Sequence, residues 1–195
     1  MGALEVRAGY LATQAGRVAE LFDEAFASKF STAIPLQKDR LRFWSESINP
    51  DQTLTIFLES ELIGVALFAT SNASGFKAES GKILYKQLGL LRFLRAGAIF
   101  SLFSYSPNPD EMYIEAISVD GKARGLGAGK MLLDKLTERA QSELYSSLAL
   151  KVILENERAR KLYEREGFKV IDTKSSRIIK FVSGVTGAHH MEKIV

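Results

Sequence analysis

No cysteine occurs in the 195 residues, which excludes disulfides, thiolate metal sites and a cysteine nucleophile, and is compatible with a reducing compartment. Histidine is nearly as scarce. The two present, His189 and His190, are adjacent, and strand neighbours point to opposite faces, so no metal site is expected from them. Charge of one sign is not in excess either: the formal net charge is +3 and the charged residues are scattered, which gives no electrostatic argument for a nucleic-acid partner. A long uncharged apolar run is also missing. Glu5 and Arg7 precede any such stretch, so a secretory leader is not expected, and the most apolar segment, 83–103, is interrupted by Lys86, Arg92 and Arg95. These absences set the expectation of a cytoplasmic protein without metal or stable membrane insertion. With 46% hydrophobic residues, the chain is read as a single domain over 1–195.

What is there begins with Met112 to Asp120, where apolar and polar residues alternate as in a strand. Beyond Lys130, Leu132, Leu133, Leu136, Ala140 and Leu144 recur at helical spacing. Between them lies Arg124-Gly125-Leu126-Gly127-Ala128-Gly129, a glycine loop that opens a helix. The first amides of a helix have no intrahelical partner and carry the positive end of the macrodipole, so they bind phosphate where side chains leave room. Arg124 and Lys130 add cations at the flanks.

Spacing restricts the phosphate ligand. A dinucleotide GxGxxG begun at Gly125 needs glycine at Lys130, and begun at Gly127 needs it at Leu132. A P-loop ending at Gly129-Lys130 needs glycine at Arg124 and Ser or Thr at Met131. All three registers fail. The remaining pattern, Arg124-x-x-Gly127-x-Gly129 after the strand, resembles the coenzyme A signature of the GNAT superfamily of N-acetyltransferases. Asn156-Glu157-Arg158-Ala159-Arg160-Lys161-Leu162-Tyr163-Glu164-Arg165-Glu166-Gly167-Phe168 is similar to that superfamily's next segment, Asn-x-x-Ala-x-x-Leu-Tyr-x-x-x-Gly-Phe.

Elsewhere, periodicity predicts a strand at Leu4 to Arg7, helices over Leu11 to Phe26 and Leu36 to Ile48, and strands at Leu54 to Leu58 and Leu62 to Ala69. Two short helices are expected within Ile83 to Phe103, since Gly89 and Gly97 weaken one long helix. Strands are expected at Leu148 to Leu154, Lys169 to Thr173, Arg177 to Val182 and His190 to Val195. The resemblance implies an α/β (α+β) fold: a mixed, mostly antiparallel sheet flanked by helices, with the helical insertion at 83–103. That insertion is read as a wall or lid over the acceptor site, with a helix packed on the core, a dimer contact or a membrane-surface rest as alternatives.

The resemblance further implies that acetyl-CoA is the co-substrate, with Ile117, Ser118 and Val119 beside the pantetheine. Its phosphates would meet Arg124, Gly125, Leu126, Gly127, Ala128, Gly129 and Lys130, and Asn156 would bond the pantetheine. Asn156 equally suits a helix N-cap. The Val119 N–H is expected to polarise the thioester oxygen. Glu115, two and four residues before Ile117 and Val119, shares their face if no bulge intervenes, and is the expected general base; a solvated strand residue or a ligand for a cationic substrate is the alternative, with Glu111 and Asp110 as weaker candidates for the base. Tyr163 falls where the superfamily protonates the departing thiolate, a role suited to a phenol of pKa roughly 10. Its alternative is packing beside Leu162. The expected reaction is acetyl transfer to a primary amine by direct attack in a ternary complex. A small-molecule amine is the preferred acceptor, a peptide or protein amine remains open, and so does a homodimer. Two rival readings are a non-catalytic acyl-CoA sensor and a membrane-associated interaction module.

Overall fold

The computed structural model describes residues 3–101, 103–175, 180 and 185–195. The chain begins with strand β1 (Leu4–Ala8), helices α1 (Ala15–Phe30) and α2 (Gln37–Ser47), and the hairpin of β2 (Thr53–Leu58) and β3 (Glu61–Ala69). Helix α3 (Ser80–Ser101) leads to β4 (Glu111–Val119), α4 (Ala128–Ser142), β5 (Ser147–Ile153), α5 (Glu157–Arg165), β6 (Lys169–Ser175) and β7 (Gly187–Ile194). The strands form one seven-stranded sheet in the order β1-β2-β3-β4-β5-β7-β6. Every pairing is antiparallel except β4 with β5, the pair joined by the α4 crossover. The α/β expectation is met. The strand expected over Arg177 to Val182 lies outside the described residues save Lys180, and the last strand starts at Gly187, ahead of the expected His190.

Each face of the sheet carries its own apolar core. On one, Met112, Ile114, Leu148 and Leu150 pack against Leu132, Leu133 and Leu136 of α4. On the other, Val65, Leu67 and Ala116 meet Val18, Leu21 and Phe22 of α1 and Phe43 and Trp44 of α2. Trp44 sits amid rings, 4.8 Å from Phe22, 4.9 Å from Phe43 and 5.3 Å from Phe30. Beneath it lies a buried ion pair: Arg40 Nε donates to Asp23 Oδ1 at 2.7 Å and Arg40 Nη2 to Asp23 Oδ2 at 3.0 Å. The Trp44 indole N–H donates to the same carboxylate at 3.1 Å, and the remaining guanidinium nitrogen reaches the carbonyls of Ile34 and Pro35. Such saturation is the condition under which a charge tolerates burial.

Helix α3 is two helical pieces broken at Gly89, whose φ of 71° and ψ of 173° belong to no L-residue helix. The two short helices expected from the sequence are therefore present, with Gly97 remaining helical. Leu84, Ala96 and Ile99 fasten α3 to the aromatic core, where Phe100 lies 5.1 Å from Phe30.

The insertion between β3 and β4 is tied to β4 at both ends by a glutamate. Before α3, Ser74 Oγ–H and Gly75 N–H donate to the two oxygens of Glu115 at 3.0 and 2.8 Å. After α3, Tyr105 Oη–H donates to Glu111 at 2.9 Å and Asn108 N–H donates to it at 3.0 Å.

Candidate active site

The pairing of β4 with β5 ends at Ile114 opposite Leu150. Beyond that point β5 continues with β7 through Lys151, Val152 and Ile153, while β4 continues with β3. A wedge therefore opens between the two parallel strands. Its apex coincides with a β-bulge, because Leu67 faces Ala116 and Phe68 faces Ile114, leaving Glu115 as the extra residue.

The bulge reverses one expectation. Ile114 and Ile117, three residues apart, both pack on the α4 side, whereas Ala116 belongs to the core on the α1 side. Glu115 points to that second side, towards Gly75 and Leu67, so it does not share a face with Ile117 and Val119. Alternation of side chains fails here because the unpaired residue resets the pleat.

Backbone direction along β4 follows from its partner strand. Asp120 N–H donates to Ile63 O at 2.8 Å, and Ser118 O approaches Gly64, so residues 118 and 120 turn their peptide groups towards β3. Successive residues alternate, which turns those of Ile117 and Val119 into the wedge. Ser118 is not brought there. Its backbone faces β3, and its Oγ–H donates to Leu21 O at 2.6 Å, fastening α1 to β4.

The glycine loop lies between β4 and α4. Gly127, at φ 86°, precedes the helix without any side-chain cap, and the first turn holds no acidic residue. The first return bond runs from Met131 N–H to Gly127 O, so the amides of Ala128, Gly129 and Lys130 have no intrahelical acceptor. A Cβ at Gly125 or Gly127 would meet open space, and both take φ of 86°. Their glycines thus serve conformation and an open approach together. Arg124 is exposed and makes no ion pair or side-chain hydrogen bond among the described residues. Lys130 differs: its Nζ donates to Asp134 at 2.9 Å and Glu166 at 3.1 Å, so its charge is already matched and only its amide remains for an anion. This donor set fits a diphosphate. Leu126 is exposed in the same loop.

Asn156 is the N-cap of α5, its side chain accepting from Ala159 N–H at 3.1 Å. Tyr163 projects from α5 onto the α4-side core, 5.8 Å from the Phe168 ring. Burial pushes its phenol up to about 12, and its hydroxyl has no hydrogen-bond partner among the described residues. Burial also pushes the Glu115 carboxyl above the usual range, while Ser74 and Gly75 pull it back by stabilising the ionised form. Tyr113, whose ring lies 4.3 Å from that of Tyr105, has its phenol raised chiefly by burial and further by the charge of Glu115.

Tyr113, Tyr105, Ser74 and Gly75 are the site neighbours that sequence reasoning missed. Tyr113 carried a signal as a polar-tipped aromatic two places before Glu115. The Ser74 and Gly75 contacts join residues about forty positions apart in sequence and have no periodic signature.

Unpaired amides at a helix start, an opened parallel strand pair and a half-buried carboxylate at its apex are an arrangement that suits acyl transfer from a phosphate-bearing carrier. The sequence pattern of the Acetyltransferase (GNAT) family matches residues 17–168. The chain belongs to that family. Among solved structures, an N-acetyltransferase from Staphylococcus aureus Mu50 superposes with a TM-score of 0.68 at 18% identity, over 96% of this chain and 99% of that one. A GCN5-related N-acetyltransferase from Kribbella flavida gives 0.65 at 19% identity, over 99% and 98%. A structure described as an acetyltransferase gives 0.66 at 23% identity, over 98% and 99%. These likenesses establish the fold. Comparison with curated proteins gives no match.

Proposed function

We propose that this acetyltransferase moves the acetyl group of acetyl-CoA to the primary amine of a small molecule, by direct attack while both are bound, within one domain over residues 1–195. The observation that carries the reading is the wedge: the peptide groups of Ile117 and Val119 face into the gap that β5 vacates, level with an uncapped, glycine-led α4. Arg124 and the amides of residues 125–130 hold the diphosphate, and Ile117 and Val119 pair with the pantetheine amides. Val119 N–H is aimed at the thioester oxygen, where negative charge develops as nitrogen attacks. Glu115, on the other side of the strand, takes the proton from the incoming amine, directly or through one water. The new C–N bond forms, the C–S bond breaks, and Tyr163 gives its proton to the leaving thiolate. Asn156 supports this arrangement by starting α5 at the place that delivers Tyr163.

The bulge strengthens this assignment of sides. The side chains of Ile117 and Val119 lie towards α4 and the Glu115 carboxylate lies on the opposite face, which supports a reading in which cofactor and amine approach from different sides. A cytoplasmic setting belongs to the same reading, supported by a sequence without cysteine and checked by cell fractionation.

Calorimetric titration with coenzyme A and acetyl-CoA, followed by thiol release across a library of amines, tests the reading. Saturable binding of both, and release that depends on the amine, is expected. Folded protein that binds neither overturns it, and binding without amine-dependent release favours a sensor.

A further inference from the structure

We propose that the outer face of α3 docks on an anionic lipid bilayer surface, as an activity separate from acetyl transfer. Within ten positions this helix exposes Tyr85, Leu90, Leu91 and Leu94, at 50%, 58%, 83% and 56% of their surface. The opposite side is committed to the protein: Leu84, Ala96 and Ile99 are buried, and Leu88, Phe93 and Phe100 pack against the same core. The exposed leucines are therefore not a helix in search of its own fold. They are a second apolar face on an anchored helix.

The charge along that segment has one sign. From Ser80 through Pro109 the chain contains Lys82, Lys86, Arg92 and Arg95 and no Asp or Glu. All four cations are exposed, and none makes an ion pair or side-chain hydrogen bond among the described residues. Elsewhere on the surface many basic residues answer to carboxylates, as Lys130, Lys135, Arg139 and Arg160 do, and others such as Lys122 and Arg124 answer to none among the described residues; what sets the α3 segment apart is that all of its cations are unmatched and no acid lies among them. Unmatched cations beside exposed leucines fit an interface with negative headgroups outside and acyl chains beneath.

Two alternatives fit less well. A symmetric pair of copies joined through this face would set each copy's cations against the other's, with no acid in the segment to relieve them. A span is excluded by length and polarity, since among the described residues no helix is long and apolar enough to cross a membrane. After the break at Gly89, Leu90, Leu91 and Leu94 open the second piece, whose opposite side is anchored in the core by Ala96 and Ile99, so the apolar face is presented outward by a held helix.

Full-length protein is sedimented with vesicles of phosphatidylcholine alone or mixed with phosphatidylglycerol, in low and high salt. Partition at least about tenfold stronger into the anionic vesicles, falling as salt rises, is expected. Replacing Leu90, Leu91 and Leu94 together by Gln removes most of the binding. Changing Lys86, Arg92 and Arg95 to Gln weakens it by about fivefold per charge. Coenzyme A affinity of both variants stays at the wild-type value, which shows that they are folded. Equal binding to neutral and anionic vesicles, no binding by wild-type protein, or full binding by the leucine variant overturns the proposal. It is equally overturned by a wild-type dimer in ultracentrifugation that the leucine variant dissociates, or by binding to polyglutamate without binding to vesicles.

Discussion

Ser74 Oγ lies 3.0 Å from Glu115 Oε1 and at the same time 3.2 Å from Phe76 N. Since the Phe76 amide can only donate, the Ser74 oxygen accepts from it, and its single proton is left for Glu115. Gly75 N–H supplies the second donor at 2.8 Å. Both donors therefore favour the ionised carboxylate, against a burial that favours the neutral acid. The position of Glu115 between these pulls makes its titration a property of the loop before α3.

The pH dependence of kcat/KM reports this balance. A raised carboxyl gives an acid limb above the ordinary glutamate range, with activity appearing as pH rises through it. Ser74→Ala removes a donor to the charged form, so the limb moves to higher pH while activity on the plateau is retained. Glu115→Gln abolishes the limb and lowers kcat by about 10² to 10⁴-fold. The sign for stability is the opposite one. A raised native carboxyl contributes most below its unfolded value of 4.5, and that contribution is lost as pH rises through the native value. The difference in unfolding free energy between Ser74→Ala and wild type, followed by urea melts from acid to neutral pH, checks it.

Tyr163→Phe separates proton donation from packing. The hydroxyl bonds to nothing among the described residues, so the variant keeps wild-type stability and acetyl-CoA affinity. The expected effect is a fall in kcat of about 10²-fold or more. With the phenol raised to about 12, wild-type activity has no alkaline limb from this group below pH 10. Pre-steady-state thiol release gives the direct reading.

The cradle is tested at two positions with different physics. Arg124→Ala removes a free exposed cation and weakens coenzyme A by about tenfold in low salt, less in high salt, with no change in melting. Gly127→Ala places a Cβ at φ 86°, which costs about 1 to 2 kcal/mol of stability whether or not ligand is present. Calorimetry with coenzyme A, paired with denaturant melts, distinguishes the two.

Asp23→Ala leaves the Arg40 guanidinium and the Trp44 indole without their shared acceptor inside the core. A loss of about 3 to 5 kcal/mol is expected, large enough to lower the yield of folded protein. Chemical denaturation measures it, and a loss under 1 kcal/mol contradicts it.

The proposed cofactor half of the site was legible in the sequence and the proposed acceptor half was not, for a physical reason. The proposed phosphate binding uses contiguous amides at a helix start, so Arg124 to Lys130 holds every group it needs in one stretch of chain. Asn156 and Tyr163 are likewise set by a single helix. Glu115 depends on a bulge, and a bulge is a relation between β3 and β4 that no local alternation in β4 reveals. Ser118 was misplaced for a kindred reason: its hydroxyl answers to Leu21, a partner nearly a hundred residues away. Most strand and helix positions were legible from periodicity. The break in α3 was legible from Gly89, whereas nothing local distinguished it from Gly97, which stays helical.

Because Glu115 and Glu111 grip the two ends of the β3-to-β4 insertion, the register of β4 is held at both joints. Between them, only the exposed outer positions of α3 are free to vary, since Leu84, Ala96, Ile99 and Phe100 are bound into the aromatic core. A surface element grafted onto that outer face leaves β4 undisturbed, provided that these core residues and Ser74, Gly75, Tyr105 and Asn108 travel with the scaffold. Glycine is obligatory at one of those joints, since a Cβ at Gly75 would strike the Glu115 carboxylate and lie 2.9 Å from Leu67 Cβ. Chimeras that keep both grips and these core residues are expected to turn over, and chimeras cut outside the grips to misfold at the apex of the wedge.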